Sequence, residues 1–124
     1  MQSYTFDFIP PSTNAMYRCY RNRICKSARL KMFEQQILTY FDDLEQDIKM
    51  IHGKLDVVVT FCLKGNKDID LDNLLKALLD SLQGILYKND KLIIHIDAKK
   101  VNGCKENQTK ITLLPITELE QKTI

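Results

Sequence analysis

The sequence predicts a single α+β domain, in which a small mixed sheet carries one layer of two helices. The chain has 124 residues, the usual size of one domain. Its composition, 44% hydrophobic and 27% charged, is that of an ordinary globular protein. Stretches with strand and helix periodicity follow one another in the order strand, helix, strand, helix, strand, strand. We therefore expect one domain over residues 1–124, with a frayed tail at 115–124.

The first half of the chain is predicted to contain a strand, a long loop and a helix. Large apolar residues alternate over residues 4–8, and the two prolines at 10–11 end this strand. Residues 12–26 have no helical spacing and are predicted to form a loop, and loops of this length are usually functional or disordered. Ser27 is a suitable N-cap for a helix whose apolar residues recur every three or four positions as far as Ile51.

The second half is predicted to contain a strand, a helix and two further strands. The alternating, largely β-branched run at 55–63 predicts a strand. A stripe of leucines and isoleucines predicts an amphipathic helix over about residues 70–86. Alternation at 92–99 predicts a third strand, the Asn-Gly pair at 102–103 a turn, and residues 109–114 a last strand.

Composition excludes several classes of protein. No apolar run approaches the roughly 18 to 20 residues that span a bilayer, and the first residues do not form a signal peptide. We therefore expect a soluble cytoplasmic protein without a membrane partner. The cysteines contain no C-x-x-C motif and the two histidines are far apart, so we expect free thiols rather than a zinc site or disulfides.

The net charge of +2 is distributed unevenly along the chain. A basic segment with no acidic residue carries Arg18, Arg21, Arg23, Lys26, Arg29 and Lys31. A second basic cluster comes late and includes Lys99 and Lys100. Such segregation favours a polyanionic partner because the local field matters more than the total charge. The alternative is that both stretches are ordinary solvated surface.

The most informative segment is the acidic run from Asp68 to Asp80. Asp72, Lys76 and Asp80 are four residues apart and therefore share one helical face. Asp70 can approach Asp72 only if the chain at Asp70 is still extended. Asp90 can reach the N-terminal end of the same helix only if the loop before Asp90 folds back. In one interpretation these residues cap the helix and form a weak surface charge ladder. In the other, Asp70, Asp72 and Asp90 supply oxygen ligands for Mg²⁺, with Mn²⁺ as substitute, beside Lys76.

These residues resemble the RusA-type Holliday junction resolvases of bacteria and their phages. The resemblance covers roughly residues 5–114 and rests on three pieces in the family's order. They are Pro10-Pro11-Ser12-Thr13-Asn14 with Tyr17-Arg18, then Asp70-Leu71-Asp72-Asn73-Leu74-Leu75-Lys76 with Asp80, then Asn89-Asp90 leading into a strand that ends in Lys99 or Lys100.

The resemblance implies a magnesium-dependent endonuclease that cuts four-way DNA junctions in recombination and repair. It implies catalytic roles for Asp70, Asp72, Lys76 and Asp90, with the three carboxylates as metal ligands. It also implies DNA contacts by Asn14, Tyr17, Arg18, Arg21, Arg23, Lys26, Arg29, Lys99 and Lys100. The expected location is the cytoplasm, with a bacterial or phage gene.

The sequence departs from the family at two positions. The family usually has a pair of acids in the loop after the helix, and here the first of them is Asn89. Leu92 stands where the family usually has glutamine. These changes leave two alternatives to an active resolvase, namely a catalytically silent junction-binding protein and a structural domain whose acids only cap a helix.

Paired incision also predicts a two-fold symmetric homodimer, because one chain carries one acidic set. Leu75, Leu79 and Leu86, on one edge of the second helix's stripe, are candidates for its interface, and burial in the core of one chain is the alternative explanation for them.

Overall fold

A computed structural model gives backbone and side chains for residues 1–11, 26–44 and 46–116, and the backbone alone for 17–20 and 23–25. The elements in chain order are β1 (Gln2–Phe6), β2 (Tyr17–Tyr20), β3 (Arg23–Lys26), α1 (Ala28–Asp43), β4 (Leu55–Lys64), α2 (Leu71–Leu82), β5 (Ile93–Cys104) and β6 (Gln108–Pro115). A short 3₁₀ helix, Asp90–Leu92, precedes β5. The predicted α+β class is confirmed.

Four strands form one mixed sheet in the order β1, β6, β4, β5. β6 is antiparallel to both of its neighbours, whereas β4 and β5 are parallel and are connected through α2. Val59 at the centre of β4 pairs with Ala98 on β5 and with Ile111 on β6. Because the crossover helix runs back along the sheet, the start of α2 lies at the end of β4 and its end lies at the start of β5.

The core lies on one face of this sheet. Side chains on β4 alternate, so that Val57, Val59 and Phe61 are at most 1% exposed while Val58 between them is 37% exposed. The buried face packs against Phe33 and Ile37 of α1 and against the leucines of α2. Complete burial of such a side chain contributes about 1.5 to 3 kcal/mol, so this contact holds both helices to the same face.

The leucines predicted for the dimer interface pack against the hydrophobic core of their own chain. Leu79 is 8% exposed and Leu86 is completely buried, and Leu75 packs against the same core. The prediction of a dimer interface is therefore wrong for Leu79 and Leu86, which one chain already covers, whereas Leu75 is only half-buried and its place in an interface stays a prediction.

The first helix begins where the sequence predicted and ends earlier. Ser27 caps it by accepting a hydrogen bond from the Leu30 amide at 3.2 Å. The helix ends at Asp43 rather than near Ile51, because acidic residues oppose the dipole at its C-terminus and no basic residue lies in the last turn. Ile51 instead joins the core from an extended segment, with its amide donating to the Leu86 carbonyl at 2.8 Å.

Two turns and loops differ from prediction. The predicted loop at 12–26 contains an antiparallel hairpin, formed by β2 and β3. The Asn-Gly pair at 102–103 does not make a turn and instead lies within β5. Gly103 has a φ of +80° and donates its amide to the Gly65 carbonyl at 2.7 Å, a conformation that favours glycine.

Two further expectations concern thiols and membranes. Cys62 and Cys104 are free thiols, as predicted. No helix within the described ranges is long and apolar enough to cross a membrane. The frayed tail predicted over 115–124 begins later than expected, because Pro115 ends β6 opposite Leu55 and the Ile116 amide donates to the Lys54 carbonyl at 2.9 Å. Residues 117–124 lie outside the described residues.

Candidate active site

The predicted acidic residues begin at the junction of β4 and α2. β4 ends at Lys64, and Gly65 turns the chain with a φ of +71°. Residues 66–70 then lead without regular structure into α2. Asp70 is the N-cap residue, with an extended backbone at φ −65° and ψ 132°. The chain at Asp70 is therefore extended, as convergence with Asp72 requires.

Asp70 does not use its side chain to cap the helix. Its carboxylate makes no cap hydrogen bond with the α2 backbone, and within the described ranges its Oδ2 accepts from the Asn73 side-chain amide at 3.3 Å. Asp72 follows in the first turn, and both carboxylates are exposed. The capping interpretation thus fails for Asp70, whose oxygens remain accessible to a ligand at the positive end of the helix dipole.

Asp72, Lys76 and Asp80 do not form a charge ladder. No ion pair within 4.0 Å joins them in the part of the chain that the structure describes, where the pairs are Lys26 with Glu34 and His95 with Asp56. The three side chains follow one another along the exposed face of α2. Without carboxylate partners, the ammonium of Lys76 is free to meet an incoming anion.

Lys76 lies in a small cleft between the two helices. This cleft, of about 80 Å³, is lined by Lys76 and Asp80 of α2, by Lys26 at the end of β3 and by Glu34 of α1. Lys26 contacts Glu34 at 3.0 Å. Glu34 was not predicted as part of the site, and no local motif marks it, because only the tertiary fold brings α1 beside α2.

Lys100 approaches the acidic junction from β5. Its Nζ donates a hydrogen bond of 2.6 Å to the carbonyl of Ile69, the residue before Asp70. Its neighbour Lys99 pairs in register with Thr60 and lies on the opposite face of the sheet. The two lysines, predicted together as DNA contacts, therefore have different surroundings.

Asp90 lies at the other end of α2. Its amide donates to the side chain of Gln83, the residue that follows the helix, at 3.0 Å. α2 has 12 residues, which at about 1.5 Å per residue separates its two ends by roughly 18 Å. Among the residues that the structure describes, no group of three or more His, Cys, Asp or Glu side chains is arranged to hold a metal ion. One chain thus brings together Asp70 and Asp72 but not Asp90.

The core packing holds Asp90 in this position. The Tyr87 hydroxyl donates a hydrogen bond to the Leu79 carbonyl in the last turn of α2. Burial raises the pKa of Tyr87, and the charges of Asp90 and Asp80 raise it further. Tyr87 therefore acts as a neutral anchor for the loop that leads to Asp90.

Comparison with known protein families identifies the chain. The family model of endodeoxyribonuclease RusA matches residues 7–114, most of the sequence. The chain belongs to the RusA endodeoxyribonuclease family. Membership implies a Holliday junction resolving endonuclease that acts on branched DNA, and resolvases of this family generally depend on a divalent metal ion. No curated protein matches the sequence significantly.

The RusA match is consistent with the donor chemistry at the start of α2. Asp70 and Asp72 present exposed carboxylate oxygens, which are the ligands that Mg²⁺ and Mn²⁺ prefer. Two carboxylates leave room for further oxygen ligands, so these residues fit part of a divalent metal site.

The DNA contacts implied by RusA membership are described only in part. Asn14 and Arg21 lie outside the described residues, and Tyr17, Arg18 and Arg23 are described by their backbone alone. Lys26 and Arg29 are exposed near the start of α1. Their contact with DNA stays a prediction.

Proposed function

We propose that this protein resolves four-way DNA junctions by magnesium-dependent, paired phosphodiester hydrolysis. The observation that carries the proposal is the exposed Asp70 carboxylate at the start of α2, two residues before Asp72 and unused as a helix cap. The reaction would serve recombination and repair, in the cytoplasm of a bacterium or of a phage-infected cell. RusA membership supports the substrate class.

In this proposal each polar side chain has a distinct role. Asp70 and Asp72 would hold the metal ion, which when bound supplies Lewis acidity and a water of lowered pKa. Lys76, one turn along α2, would face the scissile phosphate and stabilise charge that develops in the transition state. Manganese would substitute for magnesium because both prefer oxygen ligands.

Asp90 joins Asp70 and Asp72 at one metal site only if a second copy of the chain supplies it. β5 is an edge strand, and Ile94 and Ile96 on it are 42% and 40% exposed. Antiparallel pairing of two β5 edges about His95 would cover these isoleucines. It would also bring Asp90 of the partner subunit, which lies just before the start of β5, toward the Lys100 end of this strand, because antiparallel strands run in opposite directions. The predicted homodimer is therefore proposed with shared acidic sites.

A mixing experiment tests this arrangement. The Asp72→Asn and Asp90→Asn proteins should each be inactive, and co-refolding them should restore cutting in mixed dimers. In a mixed dimer with shared sites, one site keeps all three carboxylates. If each chain holds its own complete site, no mixture regains activity. Light scattering that gives a mass near the 14.4 kDa of one chain would reject the dimer itself.

Cleavage of a synthetic junction tests the main proposal. Cutting in Mg²⁺ and none in EDTA is the expected result. A silent junction-binding protein is the second candidate, because Asn89 at the family's acidic position is committed to structure. Its Oδ1 accepts from the Lys91 amide at 2.9 Å and caps the short 3₁₀ helix. Binding without cutting in either metal would favour that candidate, and absence of salt-dependent DNA binding would leave a structural domain.

A further inference from the structure

The face of the sheet opposite the helices carries its own basic cluster. Both helices cover the side of β4 that carries Val57, Val59 and Phe61, whereas Asp56, Val58 and Thr60 alternate with them on the other side. We call this other side the open face. Its residues are exposed or half-exposed along β4.

One transverse row on the open face combines lysines and hydroxyls. Thr60 on β4 pairs in register with Lys99 on β5 and with Lys110 on β6, and Lys110 pairs with Thr5 on β1. Adjacent strands are about 4.8 Å apart, so the two lysine backbones lie roughly 10 Å apart on either side of Thr60. A four-carbon side chain reaches across much of this distance, which lets both ammonium groups approach one ligand.

The two lysines converge on the same part of the open face. Both lower the pKa of the Cys62 thiol, which stands two residues beyond Thr60 on β4. Burial and the neighbouring Cys104 thiol raise that pKa, and the net direction is upward. Two positive charges that act on one thiol from opposite strands lie close to the same point of the surface.

Among the described residues no carboxylate forms an ion pair with these two lysines, although Asp7 and Glu106 line the pocket that contains Cys62. Neither Lys99 nor Lys110 has an ion pair within 4.0 Å among the residues that the structure describes. Asp97 is the nearest acid along β5 on this face, and it lies beside Val58, one row away. Lys64, at the end of β4, adds a third positive charge toward the same end of the sheet.

We propose that Lys99, Thr60 and Lys110 form a phosphodiester-binding surface for a second DNA segment. Ammonium groups and a hydroxyl are common partners of backbone phosphate oxygens. The open face is about 15 Å wide across its four strands, so it suits a DNA backbone that lies across it rather than an enclosed nucleotide.

This surface is separate from the candidate active site. Asp70 and Asp72 belong to the helix layer, so a phosphate bound between Lys99 and Lys110 is on the other side of the sheet from the bond being cut. The inference rests on the proposed function and extends it. A branched DNA can place two arms against one subunit, whereas a short linear duplex offers only one segment at a time.

The test compares a junction with a linear duplex of the same sequence. The variant Lys99→Gln with Lys110→Gln should weaken junction binding in EDTA at least about tenfold near 0.1 M salt, because each lost phosphate contact removes released counterions. The slope of log affinity against log salt should fall by about two for the junction. Duplex affinity should change much less.

The matched control removes the same charge elsewhere. Lys49→Gln with Lys54→Gln alters two exposed lysines outside both the open face and the basic segment and should reduce junction affinity by less than the first variant does. Thermal unfolding checks that both variants remain folded. An unchanged junction affinity, or an equal loss for junction and duplex, overturns the second surface while leaving the resolvase proposal intact. A wild-type protein that binds no junction overturns both.

Discussion

The ammonium of Lys100 donates to the carbonyl of Ile69 at 2.6 Å, so that β5 is tied to the residue immediately before Asp70. This contact crosses from the sheet to the junction that carries both N-terminal carboxylates. A half-buried lysine in such a contact restrains the backbone on which Asp70 is held. We therefore assign Lys100 a positioning role rather than a direct DNA contact.

Lys100→Met should slow cleavage at saturating junction by roughly ten- to a hundredfold, because a small displacement of a catalytic group is costly. Junction affinity should change little, and Lys100→Arg should recover part of the rate. Single-turnover kinetics distinguish the cleavage rate from the junction affinity, and Lys54→Met is the control. A loss confined to affinity would instead make Lys100 a phosphate contact.

Asp70→Asn and Asp72→Asn should each abolish cleavage. Junction binding should be retained or tightened, because a negative charge that faces phosphate is removed. Gel-shift titration in EDTA measures binding, and Asp42→Asn on the exposed face of α1 is the control. An Asp72→Asn protein that cuts at the wild-type rate contradicts the metal assignment.

Lys76→Ala should reduce turnover far more than affinity, since Lys76 has no carboxylate partner within the described chain and lies beside the acidic junction. Stabilisation of transition-state charge by one such group is typically about 3 kcal/mol. The measurement is cleavage rate against DNA concentration. If binding alone weakens, Lys76 is an ordinary backbone contact.

The basic segment should contribute to salt-dependent binding. Replacement of Arg18, Arg21 and Arg23 with alanine should reduce the slope of log affinity against log salt by about 2.7, if each contacts one phosphate. Fluorescence anisotropy over a salt series measures the slope. Alanine at Lys49, Lys54 and Lys88, three exposed lysines outside the basic segment, is the control with equal charge loss. An unchanged slope would return the segment to ordinary solvated surface.

Tyr87 should make the fold sensitive to alkaline pH. Its pKa is raised in the folded protein, so the unfolded chain loses the phenolic proton first, near pH 10. The unfolded state then binds fewer protons, and the free energy of unfolding falls as pH rises, by up to about 1.4 kcal/mol per unit. Urea titrations from pH 8 to 11 should show a shallower decline for Tyr87→Phe than for wild type. Parallel declines would contradict this role.

Periodicity was sufficient for the elements that build the core. β4 follows its apolar pattern because the side chains that make the pattern are buried. α2 follows its pattern only as far as Leu82, and Ile85 and Leu86 pack against the core from beyond the helix. The apolar spacing predicted that α1 extends to Ile51, beyond its actual end at Asp43, because Ile48 and Ile51 also pack against the core although they lie outside the helix. The β2–β3 hairpin was missed because its strands have four residues each, too few for a clear period.

The features of the candidate site that depend on neighbouring residues in the sequence were predictable, whereas those that depend on the tertiary fold were not. The closeness of Asp70 and Asp72 follows from an extended N-cap followed by a helix. The position of Asp90 depends on the direction in which α2 crosses the sheet, which spacing along the chain does not reveal. The opposite faces of Lys99 and Lys100 follow from strand alternation, although the contact with Ile69 requires the parallel crossover.

The order of the strands in the sheet determines when each strand can pair during synthesis. β1 comes first in the chain among the described strands, and its neighbour in the sheet is β6, which comes last among them. Since chains emerge from their N-termini at about 5 to 20 residues per second, β1 waits several seconds for its partner. Phe6 on β1 is completely buried in the finished protein and lacks its β6 contacts throughout that interval. This part of the nascent chain is therefore most accessible to chaperones and proteases until β6 is released.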